Sequence, residues 1–167
     1  HGSESPARAA ELRARFGLPV WKAIAVAGPG DVERASQYAG AADLILFDAK
    51  TPKGALPGGM GLSFDWSLLA PYRGSLPWGL AGGISAANVA DAIRQTGAPL
   101  VDVSSGVESE PGVKDPDRIA AFAKAVLATY GAVAAVPAAS GVEPRDAQRV
   151  RASLGYAAQK QRAHPCT

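Results

Sequence analysis

Val101-Asp102-Val103-Ser104-Ser105-Gly106-Val107-Glu108 is a short apolar run with one acid inside it, opening into a Ser-Ser-Gly turn. It reads as a parallel strand whose C-terminal end is built of small residues. Main-chain N–H groups are exposed at such an end, α/β proteins keep their ligands there, and clustered N–H groups suit a phosphate. The carboxylate of Asp102 within the strand points to chemistry beside the anion.

The same arrangement occurs one unit earlier. Leu80-Ala81-Gly82-Gly83-Ile84-Ser85 leads into Ala86-Ala87-Asn88-Val89, a helix start with Ser85 as its N-cap. Two consecutive strand ends thus carry glycines, and in (βα)8 barrels the loops after strands seven and eight commonly form a phosphate site. The alternative is that Gly82, Gly83 and Gly106 serve only tight turns.

Outward from this pair, helix signals and apolar runs alternate about four times between Ser5 and Tyr130, which argues for a parallel α/β architecture. Ser5-Pro6 opens a helix that Gly17 and Pro19 stop. A strand fits Val20 to Val26, Asp31 caps a helix through Tyr38, and Leu44-Ile45-Leu46-Phe47 is the continuous apolar run of a buried parallel strand. A further strand lies near Trp78 to Ala81, its helix runs from Ser85 to about Thr96, and Leu100 to Val103 is the last strand. Asp115-Pro116 starts a helix with helically spaced apolar residues, which Gly131 closes. The sequence therefore divides into a domain over 1–131 and an appendage over 132–167, first Ala- and Pro-rich, then polar, disordered or loosely helical.

With 167 residues, of which 47% are hydrophobic, the chain suffices for one domain with a sizeable core. The formal net charge is +2, with Lys and Arg scattered, so neither a nucleic-acid footprint nor a polybasic membrane patch is indicated. The single Cys166 excludes an intrachain disulfide framework and a Cys-based zinc site, no run is long enough to span a membrane, and a reducing cytoplasm is the default. The sequence begins at His1 and not at Met, so its true N-terminus is expected upstream.

Asp48 ends the apolar run at the mouth of the sheet. There, partial burial raises a carboxyl pKa enough for the group to hold a proton at neutral pH and act as a general acid; the other reading is a helix N-cap or salt-bridge partner. Lys50 opposes the shift if it points the same way. The long connection Thr51 to Gly61, with Gly58, Gly59 and Gly61, has the length and glycine content of a lid or binding loop. It is not a nucleotide-binding P-loop, because no Gly-Lys-Ser/Thr follows.

His1-Gly2, Trp21-Lys22-Ala23, Leu46-Phe47-Asp48, Gly58-Gly59-Met60-Gly61 with Phe64-Asp65-Trp66, Leu80-Ala81-Gly82-Gly83 and Val101 to Glu108, taken in order and spacing, resemble phosphoribosylanthranilate isomerase over roughly residues 1 to 130. Individual glycine motifs are weak; the ordered set is specific. The resemblance implies a (βα)8 barrel of tryptophan synthesis that converts N-(5-phosphoribosyl)anthranilate to its 1-deoxyribulose product by an Amadori rearrangement, with no metal and no organic cofactor. It makes Asp48 the general acid that protonates the ribose ring oxygen. Gly82, Gly83, Ser104, Ser105 and Gly106 match the phosphate loops, and Asp102 a strand-eight acid near the anthranilate. Gly59 and Gly61 match the mobile loop over the site, and His1 a pocket-lining histidine at the end of strand four.

Two family features do not match. The general base, a cysteine in a Lys-x-Cys-Gly motif on the first strand, and a second-strand arginine for the anthranilate carboxylate have no counterpart here, and Cys166 sits in the appendage. The resemblance thus implies a partial barrel, from the end of strand four to strand eight, out of a whole of typically ~250 residues. Its open sheet edges favour self-association, and a fragment of this kind is expected to be inactive alone. The expected partner is a small phosphoribosyl substrate; oligomeric state is not fixed by sequence. Two other readings stand beside it: another phosphate-binding barrel such as indole-glycerol-phosphate synthase, whose sites use several Lys and Glu where only Lys22 compares here, and a non-catalytic phosphate-ligand binding module.

Overall fold

The computed structural model describes residues 1–49 and 63–135, and it is an α/β structure. Helix α1 (Pro6–Phe16) starts as its sequence requires: Pro6 brings a fixed φ to the first turn, and the Ser5 hydroxyl accepts from the Arg8 N–H at 3.2 Å. It ends at Gly17, whose φ of 64° lets its N–H reach the Arg13 carbonyl.

Three parallel strands follow, β1 (Trp21–Val26), β2 (Leu44–Ala49) and β3 (Trp78–Leu80), in the order β1-β2-β3. The register pairs Trp21 with Leu44, Ala25 with Asp48 and Phe47 with Leu80. Alternation along the strands then sorts the side chains. Lys22, Ile24, Ile45, Phe47 and Leu80 share one face. Ala23, Leu46, Asp48 and Ala81 share the other, where Leu44, Leu46 and Ala81 form a cluster with Ala23 and Leu100.

On the first face the Phe47 ring is fully buried and meets Tyr72 and Trp78 edge-on, with centroids 5.0 and 5.8 Å away. Edge-to-face contacts suit aromatic quadrupoles, and truncating such a ring to alanine costs about 3–5 kcal/mol. Ile45, Leu80, Val89 and Ala92 are likewise fully buried. This core holds the ends of β2 and β3 in place, and with them the loops that follow.

Several boundaries differ from the sequence reading. The expected helix Asp31–Tyr38 is one α turn, α2 (Pro29–Glu33), followed by a 3-10 turn (Arg34–Tyr38). Pro29 starts it two residues early, so Asp31 lies inside the first turn and its carboxylate reaches back to the N–H groups of Ala27 and Gly28. Ser85 is not an N-cap: helix α3 spans Val89–Thr96 and Asn88 takes the cap position. The expected strand at Leu100–Val103 contributes a single parallel bridge, Leu80 to Val101.

After that bridge come a 3-10 turn (Ser105–Val107), an antiparallel hairpin of β4 (Glu108–Glu110) with β5 (Val113–Lys114), and helix α4 (Pro116–Ala135). Gly131 lies inside α4 and does not close it. The chain divides into two compact units, His1–Leu127 and Ala128–Thr167. Among the described residues no helix is long and apolar enough to cross a membrane.

Candidate functional site

Asp48 is one residue from the end of β2, and its side chain is 20% exposed. Oδ1 accepts the Ala49 N–H at 2.8 Å, and Oδ2 lies 3.8 Å from Nδ1 of His1. Burial raises the carboxyl pKa above its ordinary 3.8; the Ala49 N–H opposes this, and the negative charge of Asp102 adds to it. Lys50, which the sequence offered as a counter-charge, lies outside the described residues, as do Gly59 and Gly61.

Asp102 reaches the same end of the sheet through the bridge. The Leu80 N–H donates to the Leu100 carbonyl at 2.9 Å, and the Asp102 N–H to the Leu80 carbonyl at 2.8 Å. Val101 therefore shares a face with Leu80, and Asp102 points to the opposite face, that of Asp48. The Asp102 side chain is exposed.

The loop after β3 passes directly over Asp48. Gly82 and Gly83 have φ of 82° and 65°, a left-handed pair that side chains rarely adopt. A β-carbon on Gly82 would stand 2.4 Å from the Ala49 nitrogen and 2.9 Å from Asp48 Oδ1. Asn88 shapes the rest of this loop: its Oδ1 accepts the Ser85 N–H at 2.8 Å and its Nδ2 donates to the Gly83 carbonyl at 2.9 Å.

The loop after the bridge packs against the first. A β-carbon on Gly106 would fall 2.0 Å from the Ile84 carbonyl oxygen, so only glycine permits the approach. Ser104 is held from the hairpin, where Lys114 Nζ donates to its carbonyl at 2.9 Å and its hydroxyl at 3.1 Å. Among the described residues, no protein acceptor meets the N–H groups of Gly83, Ser104, Ser105 or Gly106. Grouped main-chain donors beside a protonatable carboxyl are equipped to hold an oxyanion and deliver a proton next to it.

The structure thus brings Asp48, Asp102, Gly82 and His1 to one end of the sheet, with Gly83, Ser104, Ser105 and Gly106 in the two adjoining loops. Sequence reasoning missed Asn88 and Lys114. The signal for Asn88 was a second capping residue three positions after Ser85; for Lys114 it was a cation one short hairpin beyond Glu108. Lys22 resolves differently from a pocket lysine. Only 5% exposed, its ammonium donates to the Gly2 carbonyl at 2.7 Å and to Glu4 Oε2 at 2.8 Å, on the face of the sheet opposite Asp48.

Comparison with known proteins converges on one family. The family model described as N-(5'phosphoribosyl)anthranilate (PRA) isomerase matches residues 1–125. The N-(5'-phosphoribosyl)anthranilate isomerase of Cereibacter sphaeroides is 63% identical over 123 residues, 73% of this chain and 58% of that protein. Among solved structures, phosphoribosyl anthranilate isomerase from Thermotoga maritima is 38% identical with a TM-score of 0.62, covering 78% of this chain and 60% of that one. Another phosphoribosyl anthranilate isomerase, in complex with reduced 1-(o-carboxyphenylamino)-1-deoxyribulose 5-phosphate, is 35% identical with a TM-score of 0.59, over 78% of this chain and 57% of that one. The chain spans less than two thirds of the length of these relatives.

Proposed function

The chain belongs to the N-(5'-phosphoribosyl)anthranilate isomerase family, and from that premise we propose that it carries the general acid and the phosphate-binding loops of an enzyme for the Amadori rearrangement of N-(5-phosphoribosyl)anthranilate. The product is 1-(2-carboxyphenylamino)-1-deoxyribulose 5-phosphate, a step of tryptophan synthesis carried out in the cytoplasm. In this reading β1, β2, β3 and the Val101 bridge are strands five to eight of a partial (βα)8 barrel, and the sequence over 132–167 is an appendage to it.

The reaction needs an acid and a base. Asp48 gives its proton to the ring oxygen as the C1–O bond breaks, and the anilino nitrogen lone pair closes the Schiff base. Loss of the C2 proton then yields an enolamine that tautomerises to the ketone. Burial shifts Asp48 toward its protonated form, the form that the first step requires. Asp102 attends the anthranilate end and His1 lines the pocket; Gly59 and Gly61, which the resemblance assigns to substrate, lie outside the described residues. The family's Lys-x-Cys-Gly base motif does not occur in this sequence.

The observation that carries the reading is the contact of Gly82 with Asp48 and of Gly106 with Ile84, which joins the acid to both anion loops. The engagement of Lys22 with Gly2 and Glu4 counts against a synthase-type site built on that lysine.

The test is complementation. This chain is combined with the portion of the Cereibacter sphaeroides relative that it does not span, and turnover of phosphoribosylanthranilate is measured. Isomerisation that disappears with Asp48→Asn supports the proposal. Phosphate binding without turnover favours a binding module, and turnover of the carboxyphenylamino-deoxyribulose phosphate instead favours an indole-glycerol-phosphate synthase.

A further inference from the structure

Lys114, at the end of β5, makes three hydrogen bonds through one ammonium: to the Ser104 carbonyl at 2.9 Å, the Ser104 hydroxyl at 3.1 Å and Glu108 Oε1 at 2.5 Å. The hairpin that carries it is fastened nearby. The Asp115 N–H donates to the Val107 carbonyl at 2.8 Å, the Gly112 N–H to Glu108 Oε2 at 3.0 Å, and Arg118 to the Glu108 carbonyl. An exposed lysine that forms only a surface ion pair contributes little. This one spends two of its three bonds on a single loop residue.

Two consequences follow from elementary geometry. A trans peptide directs its C=O and the next N–H to opposite sides, and the described residues contain no cis bond. The Ser104 carbonyl accepts from Lys114 at 2.9 Å and from the Val107 N–H at 3.3 Å, so the Ser105 N–H is turned away from both, with the lysine as the shorter of the two holds. A hydroxyl that accepts from an ammonium keeps its own proton for another acceptor, so Ser104 is left as a donor. Neither the Ser105 N–H nor the Ser104 hydroxyl donates to any described protein group.

We propose that Lys114 is a positioning residue for a phosphate monoester: it aims the Ser105 N–H and the Ser104 O–H at the anion, and Glu108 governs how much of its positive charge the anion feels. The proposal rests on the reading of the Ser104–Gly106 loop as a phosphate site. Glu108 sits against the ammonium with an 11% exposed side chain, so it offsets much of that charge. A purely mechanical clamp and an electrostatic one then differ in sign. Removing Glu108's charge loosens a clamp, whereas it uncovers a cation beside the ligand.

The experiment titrates inorganic phosphate into the full chain at pH 7.5, following the amide resonances of Ser104 to Gly106, for the wild type, Lys114→Met, Lys114→Arg and Glu108→Gln. Lys114→Met is expected to weaken phosphate about tenfold and to flatten its salt dependence, the loss of one charge that the Ser104 hydroxyl separates from a dianion. Lys114→Arg keeps affinity within about threefold, and Glu108→Gln tightens it by about threefold. Wild-type affinity in Lys114→Met, or weakening in Glu108→Gln, overturns the proposal while the phosphate site itself stands. Absence of phosphate binding by the wild type overturns the site and the proposal together. If Lys114→Met does not fold, the tightening expected of Glu108→Gln decides the matter.

Discussion

Gly82 passes so close to Asp48 that a single added carbon would stand 2.9 Å from its Oδ1, and closer still to the Ala49 nitrogen that holds the same oxygen. With φ at 82°, the position excludes a side chain for two independent reasons. Gly82→Ala is expected to destabilise the chain by about 2–4 kcal/mol, the sum of left-handed strain and overpacking against backbone. Urea unfolding checks this; a loss below about 0.5 kcal/mol would mean that the loop moves aside freely.

Asp48→Asn should separate function from stability. The amide oxygen can still accept the Ala49 N–H, but no proton is available for the ring oxygen. In the complemented enzyme kcat is expected to fall about 10²- to 10⁴-fold with KM nearly unchanged. The carboxyl's raised pKa means that the folded state holds the proton more tightly than the unfolded chain, so ionisation costs stability above the ordinary value of 3.8. At pH 7 the neutral amide should raise Tm by about 1–3 °C. Steady-state kinetics and a thermal melt read the two effects separately.

Asn88 holds the glycine loop with both ends of its carboxamide, and the two bonds can be told apart. Asn88→Ala removes both and is expected to cost about 1–2 kcal/mol. Asn88→Asp keeps the acceptor for the Ser85 N–H, loses the donor to the Gly83 carbonyl, and adds negative charge. It should therefore be the more stable of the two variants and the poorer phosphate binder. The same ranking in stability and in phosphate affinity would contradict this assignment.

Acid should unfasten the periphery before the core. Glu4, Asp43, Asp65 and Glu108 all have carboxyl pKa values below their ordinary ones, chiefly through hydrogen bonds to Lys22, to the Val20 N–H, to Ser67 and to Lys114 respectively. The stability that lowered values confer is fully present above the ordinary 4.5 of Glu and 3.8 of Asp, and is lost as pH falls through the native values. In Asp48→Asn, where the opposing titration of Asp48 is removed, denaturant midpoints should hold from pH 7 to 5 and drop below about 4.5. A flat profile down to pH 3 would remove these pairs from the account of stability.

The parallel α/β order was legible because apolar runs such as Leu44 to Phe47 have no exposed face to alternate with, and because Gly17 and Gly97 stop their helices where expected. The acid and the glycine loops were legible for a related reason: Asp48 closes a run of buried residues, and Gly82 and Gly106 occupy points where backbone meets backbone. Asn88 was hidden by chemical equivalence. Serine and asparagine cap helices about equally well, and the distinction lies in which N–H the loop leaves needing an acceptor. Val101 makes only a bridge because its neighbour β3 is three residues long, a length that its apolar sequence does not announce. Gly131 stays within α4 because apolar residues continue beyond it, and one interior glycine costs a helix only about 1 kcal/mol.

The proposed anion grip is contiguous in sequence. From Leu80 to Lys114 the segment closes on itself through Asn88, Gly106 and Lys114, and it is anchored to the preceding strand by the Ala81 N–H on the Phe47 carbonyl at 2.7 Å. Asp48 itself comes from an earlier strand. That strand, β2, is also the one on which β3 and its glycine loop rest, so the residue proposed to give the proton and the segment proposed to grip the anion share one foundation and cannot be exchanged independently.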